Sequence, residues 1–176
     1  EVVVTGINAQ NVVYDPPFVG AVQTNQEEFN SRYASITDFG AVGDWNGTSG
    51  TDDTAAIQQA IFRCSSLYGN AIKLYWPKGR YLITNSITLH SDVYWEFDQG
   101  VIINFIPNNP EQTRLFGAFN QRDIVIDGNN CEIVGTRTGT MVDPTGGIGN
   151  AIELYGSDNI YIRNVIVRDF ATDGFN

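Results

Sequence analysis

The sequence predicts an all-β coil of short strands, closed at one end by a single amphipathic helix. Three observations carry this. Residues 35–61 read SITDFGAVGDWNGTSGTDDTAAIQQAI: a β-prone run, a Gly- and Asp-rich turn, a polar loop and then a capped helix. Beyond residue 70 come short segments with Val or Ile at alternate positions, separated by Gly, Asn, Asp or Pro. That is the period of strands between turns. Finally, the segments resemble one another. Asp92-Val93-Tyr94-Trp95, Asp123-Ile124-Val125-Ile126 and Asn159-Ile160-Tyr161-Ile162 each place a polar residue before an alternating strand, at a spacing of roughly thirty to thirty-six residues, within the range of stacked repeats. A β-sandwich, with turns every 8–12 residues or so, competes with the coil on this evidence.

The elements follow in chain order. Residues 1–9 are β-prone, with Val2, Val3, Val4 and Ile7, and residues 10–30 carry Asp15-Pro16-Pro17, Gly20 and many amides. Proline removes a backbone donor and restricts its neighbour, so this stretch reads as irregular chain or edge strand. Residues 1–34 are therefore expected to form an arm that packs on a partner or on its own domain, and residues 35–176 to form the capped coil. The helix is expected over 52–68. Thr51 or Asp52 caps it, and Asp52 and Asp53 suit its positive end. Ala56, Ile57, Ala60, Ile61, Cys64, Leu67 and Tyr68 make its apolar face, and Gly69 stops it. Strands are expected in 72–77 and 80–84 around a Lys78-Gly79 turn. Others are expected in 86–89, 92–97, 101–106, 124–127, 131–134, 151–154, 160–163 and 165–170. The chain stops at Asn176 directly after a strand pair with no closing cap, which reads as the N-terminal portion of a longer protein.

Composition narrows the partners. With 20 acidic and 10 basic residues the formal charge is −10. This argues against nucleic acid and against anionic membrane surfaces, and leaves carbohydrate open. No run of about 20 apolar residues suggests a membrane-spanning helix, and no signal peptide opens the chain. Cys64 and Cys131 fall at apolar positions on different elements and read as buried free thiols.

The string at 35–61 resembles the first turn of right-handed parallel β-helix proteins with the pectate-lyase-like fold. Asp38-Phe39-Gly40-Ala41-Val42-Gly43-Asp44 and Thr51-Asp52-Asp53-Thr54-Ala55-Ala56-Ile57-Gln58-Gln59-Ala60-Ile61 are the matching residues, and WPKGRYLIT at 76–84 resembles the next element. The loop Trp45–Gly50 is longer than in many relatives. Tyr14-Asp15-Pro16-Pro17-Phe18-Val19-Gly20-Ala21-Val22, with Thr24-Asn25, resembles the neck of bacteriophage tailspikes and tail fibres. This resemblance implies a homotrimer in the virion tail. Residues 1–34 would join other tail proteins, and the coil would bind, and often depolymerise, a bacterial surface polysaccharide such as capsule or O-antigen. A secreted pectinase-type hydrolase or lyase and a non-enzymatic adhesin are the rival readings.

Glycan hydrolysis needs two carboxyl groups about 5–9.5 Å apart, and lyase chemistry needs a base with a cation or metal. On a coil such pairs form between turns. The candidates are Asp127, Glu132, Glu153, Asp158, Asp169 and Asp173. Thr172-Asp173-Gly174 resembles part of the N-T-D-G motif of polygalacturonase-like hydrolases, with Ala171 where that motif has asparagine, so Asp173 is the one catalytic candidate set against an ordinary Asp-Gly turn. Most catalytic residues are expected beyond Asn176. Tyr155 and Trp45 are the carbohydrate-stacking candidates, whereas Trp76 and Trp95 sit in strands and read as core or subunit contacts. Glu96 and Asp98 share a strand face and read as a solvated surface. Helix-end charge accounts for Asp52-Asp53, and His90 has no partner at ligand spacing, so no metal and no cofactor are expected.

Overall fold

The computed structural model describes residues 13–14, 24–25, 33–65, 73–109, 114–136, 149–170 and 174–176. Within the predicted arm, β1 (Val13–Tyr14) and β2 (Thr24–Asn25) pair antiparallel. The remainder of the predicted arm before Tyr33 lies outside the described residues. From Tyr33 the chain is a right-handed parallel β-helix with three faces.

The first face stacks β3 (Tyr33–Ser35), then β4 (Lys73–Trp76), β7 (Tyr94–Phe97) and the start of β10 (Arg122–Val134). On the second face β5 (Arg80–Ile83) and β8 (Ile102–Phe105) precede the end of β10. The third face holds β6 (Ile87–Thr88), β9 (Arg114–Phe119) and β11 (Asn150–Tyr155). Finally β12 (Asp158–Arg168) runs under both halves of β10. Every pairing from β3 onward is parallel. This excludes the β-sandwich, whose strands pair antiparallel.

Register puts like residues in columns. Leu74, Trp95, Ile126 and Ile162 follow one another inside the first face, Tyr81, Ile103, Ile133 and Val167 inside the second, and Ile87, Phe116 and Ile152 inside the third. Trp76 and Trp95 are fully buried. Their rings lie 5.2 Å apart, with Phe97 stacked on Trp76 at 5.0 Å and Phe116 edge-on to Trp95 at 5.2 Å. Such pairs add about 0.5–1.5 kcal/mol beyond area burial. Among the described residues both buried indole N–H groups find no hydrogen-bond partner. Cys64 and Cys131 are buried free thiols, as the sequence predicts.

The repeated polar residue before each first-face strand has a backbone cause. Asp92, Asp123 and Asn159 all adopt positive φ, at 61°, 55° and 54°. Asp and Asn tolerate that left-handed corner better than most residues. The corner between first and second faces uses Gly100, Asn129, Asn130 and Asn164 in the same region. Because these corners are so tight, segments expected as separate strands fuse. Residues 124–127 and 131–134 become β10, with a register shift between Asp127 and Cys131, and 160–163 and 165–170 become β12.

The opening motif builds the stopper. Ser35 caps the 3-10 turn Ile36–Phe39 through a capping box with Asp38. Gly43 has φ 67°, and a Cβ there would stand 2.7 Å from the Tyr81 ring, so the motif requires glycine. The helix α1 spans Thr54–Cys64 and buries Ile57, Ala60, Ile61 and Cys64. It is shorter than predicted at its start, and the predicted end through Tyr68 and Gly69 lies outside the described residues. The N-cap position falls on Asp53 rather than Thr51 or Asp52, and the Asp53 side chain makes no cap bond. Its carboxylate instead accepts the N–H groups of Val42 (2.6 Å) and Gly43 (3.3 Å). Asp52 does accept the N–H of Thr54 at 3.0 Å, and also takes the hydroxyls of Thr54 and Thr84 at 2.5 Å. Where a third-face strand of the opening turn would stand, Gln58 takes over. Its side-chain amide accepts from Thr88 N–H (2.7 Å) and donates to Thr88 C=O (3.0 Å), imitating the missing ladder partner of β6.

Candidate functional site

One strand was not legible in the sequence. Residues Arg114–Phe119, RLFGAF, have no β-branched residue and a central glycine, which hides the alternation. The structure makes them β9, the middle of the third face, between β6 and β11. Parity was the available signal, since each repeat needs a third-face strand and Phe116 and Ala118 alternate inward.

On the outside of this face β9 and β11 present a compact group. Gly117 pairs in register with Glu153, and Phe119 with Tyr155. The Arg114 side chain runs along its own strand over Gly117. Its guanidinium lies 4.5 Å from the centre of the Phe119 ring, and Nη1 reaches Glu153 Oε2 at 3.2 Å. The path exists because Gly117 has no side chain: a Cβ there would be 2.6 Å from Arg114 Nε and 2.8 Å from the Phe119 ring. Arg114 and Glu153 are both mostly covered, while Tyr155 is 69% exposed beside them. A cation–π stack, a carboxylate and a free phenol ring therefore share one face. Such a group can stack on the C–H face of a ring and exchange hydrogen bonds with hydroxyls. Gly174–Asn176 lie next along this face, with Ile152 N–H donating to Gly174 C=O and Leu154 N–H to Asn176 C=O.

The other predicted carboxylates are dispersed. Asp127 faces outward on the first face and pairs with Arg163 at 2.7 Å. Hydrogen bonding from Asn164 and Arg163 holds its carboxyl below the ordinary range, which suits a permanent anion, not a proton donor. Glu132, on the second face, pairs with Arg168 at 3.0 Å, and Asp169 pairs with the same guanidinium at 2.8 Å. Asp158 starts β12 at the corner leading into the first face. Asp173 lies outside the described residues. Glu96 does lie next to Asp127 in register, but its carboxylate is held by Lys73 at 2.8 Å. Asp98 accepts the Lys78 N–H at 3.1 Å.

Trp45 sits in the loop beside the second face, its backbone N–H donating to Arg80 C=O, and is not brought together with Tyr155. His90 packs at 5.5 Å from Phe62, and burial lowers its pKa. No cluster of His, Cys, Asp and Glu among the described residues has metal-binding geometry. No helix among them is long and apolar enough to cross a membrane.

Comparison with known proteins agrees with this architecture. Plasmin and fibronectin-binding protein A of Streptococcus pneumoniae (strain ATCC BAA-255 / R6) is 28% identical over 162 residues, which is 82% of this chain and 22% of that protein. Depolymerase 1, capsule K3-specific, of Klebsiella phage KP32 is 48% identical over 54 residues, 30% of this chain and 6% of that protein. The chain thus spans less than a quarter of the length of either relative. Among solved structures, an iota-carrageenase of family GH82 from A. fortis superposes with a TM-score of 0.56 at 25% identity, covering 77% of this chain and 29% of that one. The family 28 exopolygalacturonase of Yersinia enterocolitica gives 0.55 at 20% identity, covering 85% and 36%. A phage protein stands among the relatives, as the tailspike resemblance implies, and both solved structures share the coil. The family model described as rhamnogalacturonase A/epimerase, pectate lyase-like, matches residues 33–174, from the first strand of the coil to the glycine beside β11. The chain belongs to that family.

Proposed function

We propose that this chain is the capped beginning of a phage tailspike or tail-fibre β-helix that binds and depolymerises a bacterial surface polysaccharide, capsule or O-antigen. In this reading residues 1–34 join the virion tail and neighbouring subunits of a homotrimer, and the coil from residue 35 displays the glycan site. The carrying observation is the third-face group: Arg114 stacked on Phe119 over Gly117, bound to Glu153 and flanked by exposed Tyr155. It offers what an extended glycan needs, namely aromatic surface for ring carbons and a fixed ion pair for hydroxyls. The phage depolymerase among the relatives supports the glycan class.

Because the described carboxylates on this face amount to one ion-paired Glu153, we assign the face to binding. Cleavage falls to Asp173 and to residues beyond Asn176. Incubating the full-length protein with host polysaccharide, and measuring new reducing ends and unsaturated uronates, tests the proposal and separates hydrolase from lyase. Tyr155→Ala and Gly117→Ala are expected to raise KM about tenfold with little change in kcat, the signature of uniform binding. Asp173→Asn is expected to abolish cleavage. No cleavage of any host glycan would overturn the enzymatic part.

A second reading, a non-enzymatic adhesin, is favoured by the match to the pneumococcal binding protein over 82% of this chain. It predicts retention on immobilised host cells without cleavage. A secreted pectinase would instead cut polygalacturonate as a monomer. Light scattering tests the trimer, and a well-folded monomeric full-length protein would contradict it.

A further inference from the structure

The first face carries a second group of ring-bearing and hydrogen-bonding residues, around the coil from the third-face site. Register places Tyr33, Lys73 and Tyr94 in one outward column and Ser35, Tyr75 and Glu96 in the next. Beside Tyr33 a cavity of about 350 Å³ opens, lined by Tyr33, Ala34, Ser35, Asp38, Tyr75 and Glu96. That volume is within the range of small-molecule sites and suits one or two sugar rings.

Its lining is fixed from within. Lys73 Nζ lies 5.2 Å from the Tyr33 ring centre and 4.9 Å from that of Tyr94, and 2.8 Å from Glu96 Oε2. Asp38 Oδ2 accepts the Ser35 N–H at 2.8 Å, and the Tyr75 hydroxyl is hydrogen-bonded to Asp98. The position where two phenol rings and a carboxylate attract a cation is thus already filled by Lys73 of the same chain. The Ser35 hydroxyl is taken up by the Thr37 N–H (3.2 Å) and the Thr37 hydroxyl (2.7 Å), so what the cavity offers is aromatic surface and the acceptor oxygens of Asp38 and Glu96.

We propose that this cavity binds a neutral, hydroxyl-rich pyranose residue of a glycan chain, as a site separate from the third face. Sugar hydroxyls donate to the two carboxylates, which are strong charge-assisted acceptors, while the C–H face of the ring packs on Tyr75. The charges set the class. One lysine against two carboxylates leaves the cavity anionic, on a protein of net charge −10, so uronates and sulfated sugars are repelled. The third face differs in carrying Arg114. The inference stands on this cavity alone and does not require that the third face bind or cut anything.

The test is saturation-transfer NMR on the full chain. The probes are cello-, malto-, xylo- and galacto-oligosaccharides, with oligogalacturonate as the acidic comparison. At least one neutral probe is expected to show transfer to its ring C–H protons, with oligogalacturonate giving at least tenfold weaker binding. Tyr75→Ala and Glu96→Gln are expected to weaken the neutral probe at least tenfold. Tyr75→Phe, which keeps the ring and guards against misfolding, is expected to retain it. Tyr155→Ala on the third face is expected to leave it unchanged. Absence of transfer from every neutral probe would overturn the proposal. So would binding unmoved by Tyr75→Ala, or binding lost with Tyr155→Ala. Sedimentation of the same variants decides the competing occupant: self-association abolished by Tyr75→Ala, with no sugar bound, makes the cavity an interface between copies.

Discussion

Asp53 is fully buried next to Asp52, yet the two adjacent carboxylates behave in opposite ways. Burial pushes the Asp53 carboxyl up, against the pull of the Val42 and Gly43 N–H groups. Partial burial acts on Asp52 too, but hydrogen bonds from Thr54 and Thr84 outweigh it and hold that carboxyl low. Removing Asp53 leaves two backbone donors at the turn without their acceptor. Asp53→Ala is therefore expected to cost about 2–4 kcal/mol, read as a lower urea midpoint at pH 7. The two thiols give a second residue-scale prediction. Burial pushes Cys64 up to about 11, with help from Asp38, and Cys131 up to about 12. Both are expected to resist a thiol-specific disulfide reagent at pH 8 in the native protein and to react at once in denaturant. At this scale the sequence showed that the Asp-rich string belongs to the fold, because a turn and a helix start account for its composition. It did not show which N–H each carboxylate takes. Asp53 reaches back to Val42 and Gly43 across a loop, a closure that no local capping rule contains.

Among elements, α1 and β6 form the joint between stopper and coil. Their contact is polar as well as apolar, through Gln58 and the backbone of Thr88. Gln58→Leu keeps helix propensity but frees both Thr88 groups. It is expected to cost about 1–3 kcal/mol and to accelerate amide exchange at Thr88 selectively, while Trp76 and Trp95 stay protected. Unchanged exchange at Thr88 would show that the side-chain pairing does not hold the edge. The helix itself was legible, since Ile57, Ala60, Ile61 and Cys64 recur on one face and all four are buried. So were the strands with Val and Ile at alternate positions. β9 was not, because Gly117 interrupts its pattern. That glycine is there to let Arg114 lie flat across the strand, so the feature that hid the element also builds the candidate site.

For the molecule as a whole, acid stability follows from the signs of these shifts. Asp52 and Asp127 have folded pKa values below the unfolded value of about 4. The stability they contribute is fully present above about pH 4 and is lost as pH falls through their folded values. Asp53 acts oppositely: its raised folded value means that stability falls as pH rises through it, so its protonation in acid partly offsets the loss. The urea midpoint is expected to fall between pH 5 and pH 3. Asp53→Asn is expected to steepen that fall, and Asp127→Asn to make it shallower. The Asp127 effect stays under about 1 kcal/mol, because its partner Arg163 is largely solvated. Ion pairs link neighbouring turns on every face of the coil, the more solvated ones on the first and second faces and the mostly covered Arg114–Glu153 pair on the third. By itself the sequence determined that the chain coils and where the coil is stoppered, because strand period, corner residues and a helix start are local properties written in consecutive residues. Only the tertiary structure decided which side chains share a face. In a parallel coil the neighbours on a face come from successive turns roughly twenty to forty residues apart, and their register depends on how many residues each corner takes. Arg114 therefore meets Glu153, and Lys73 meets Tyr33 and Tyr94, by stacking that no spacing within a single strand encodes.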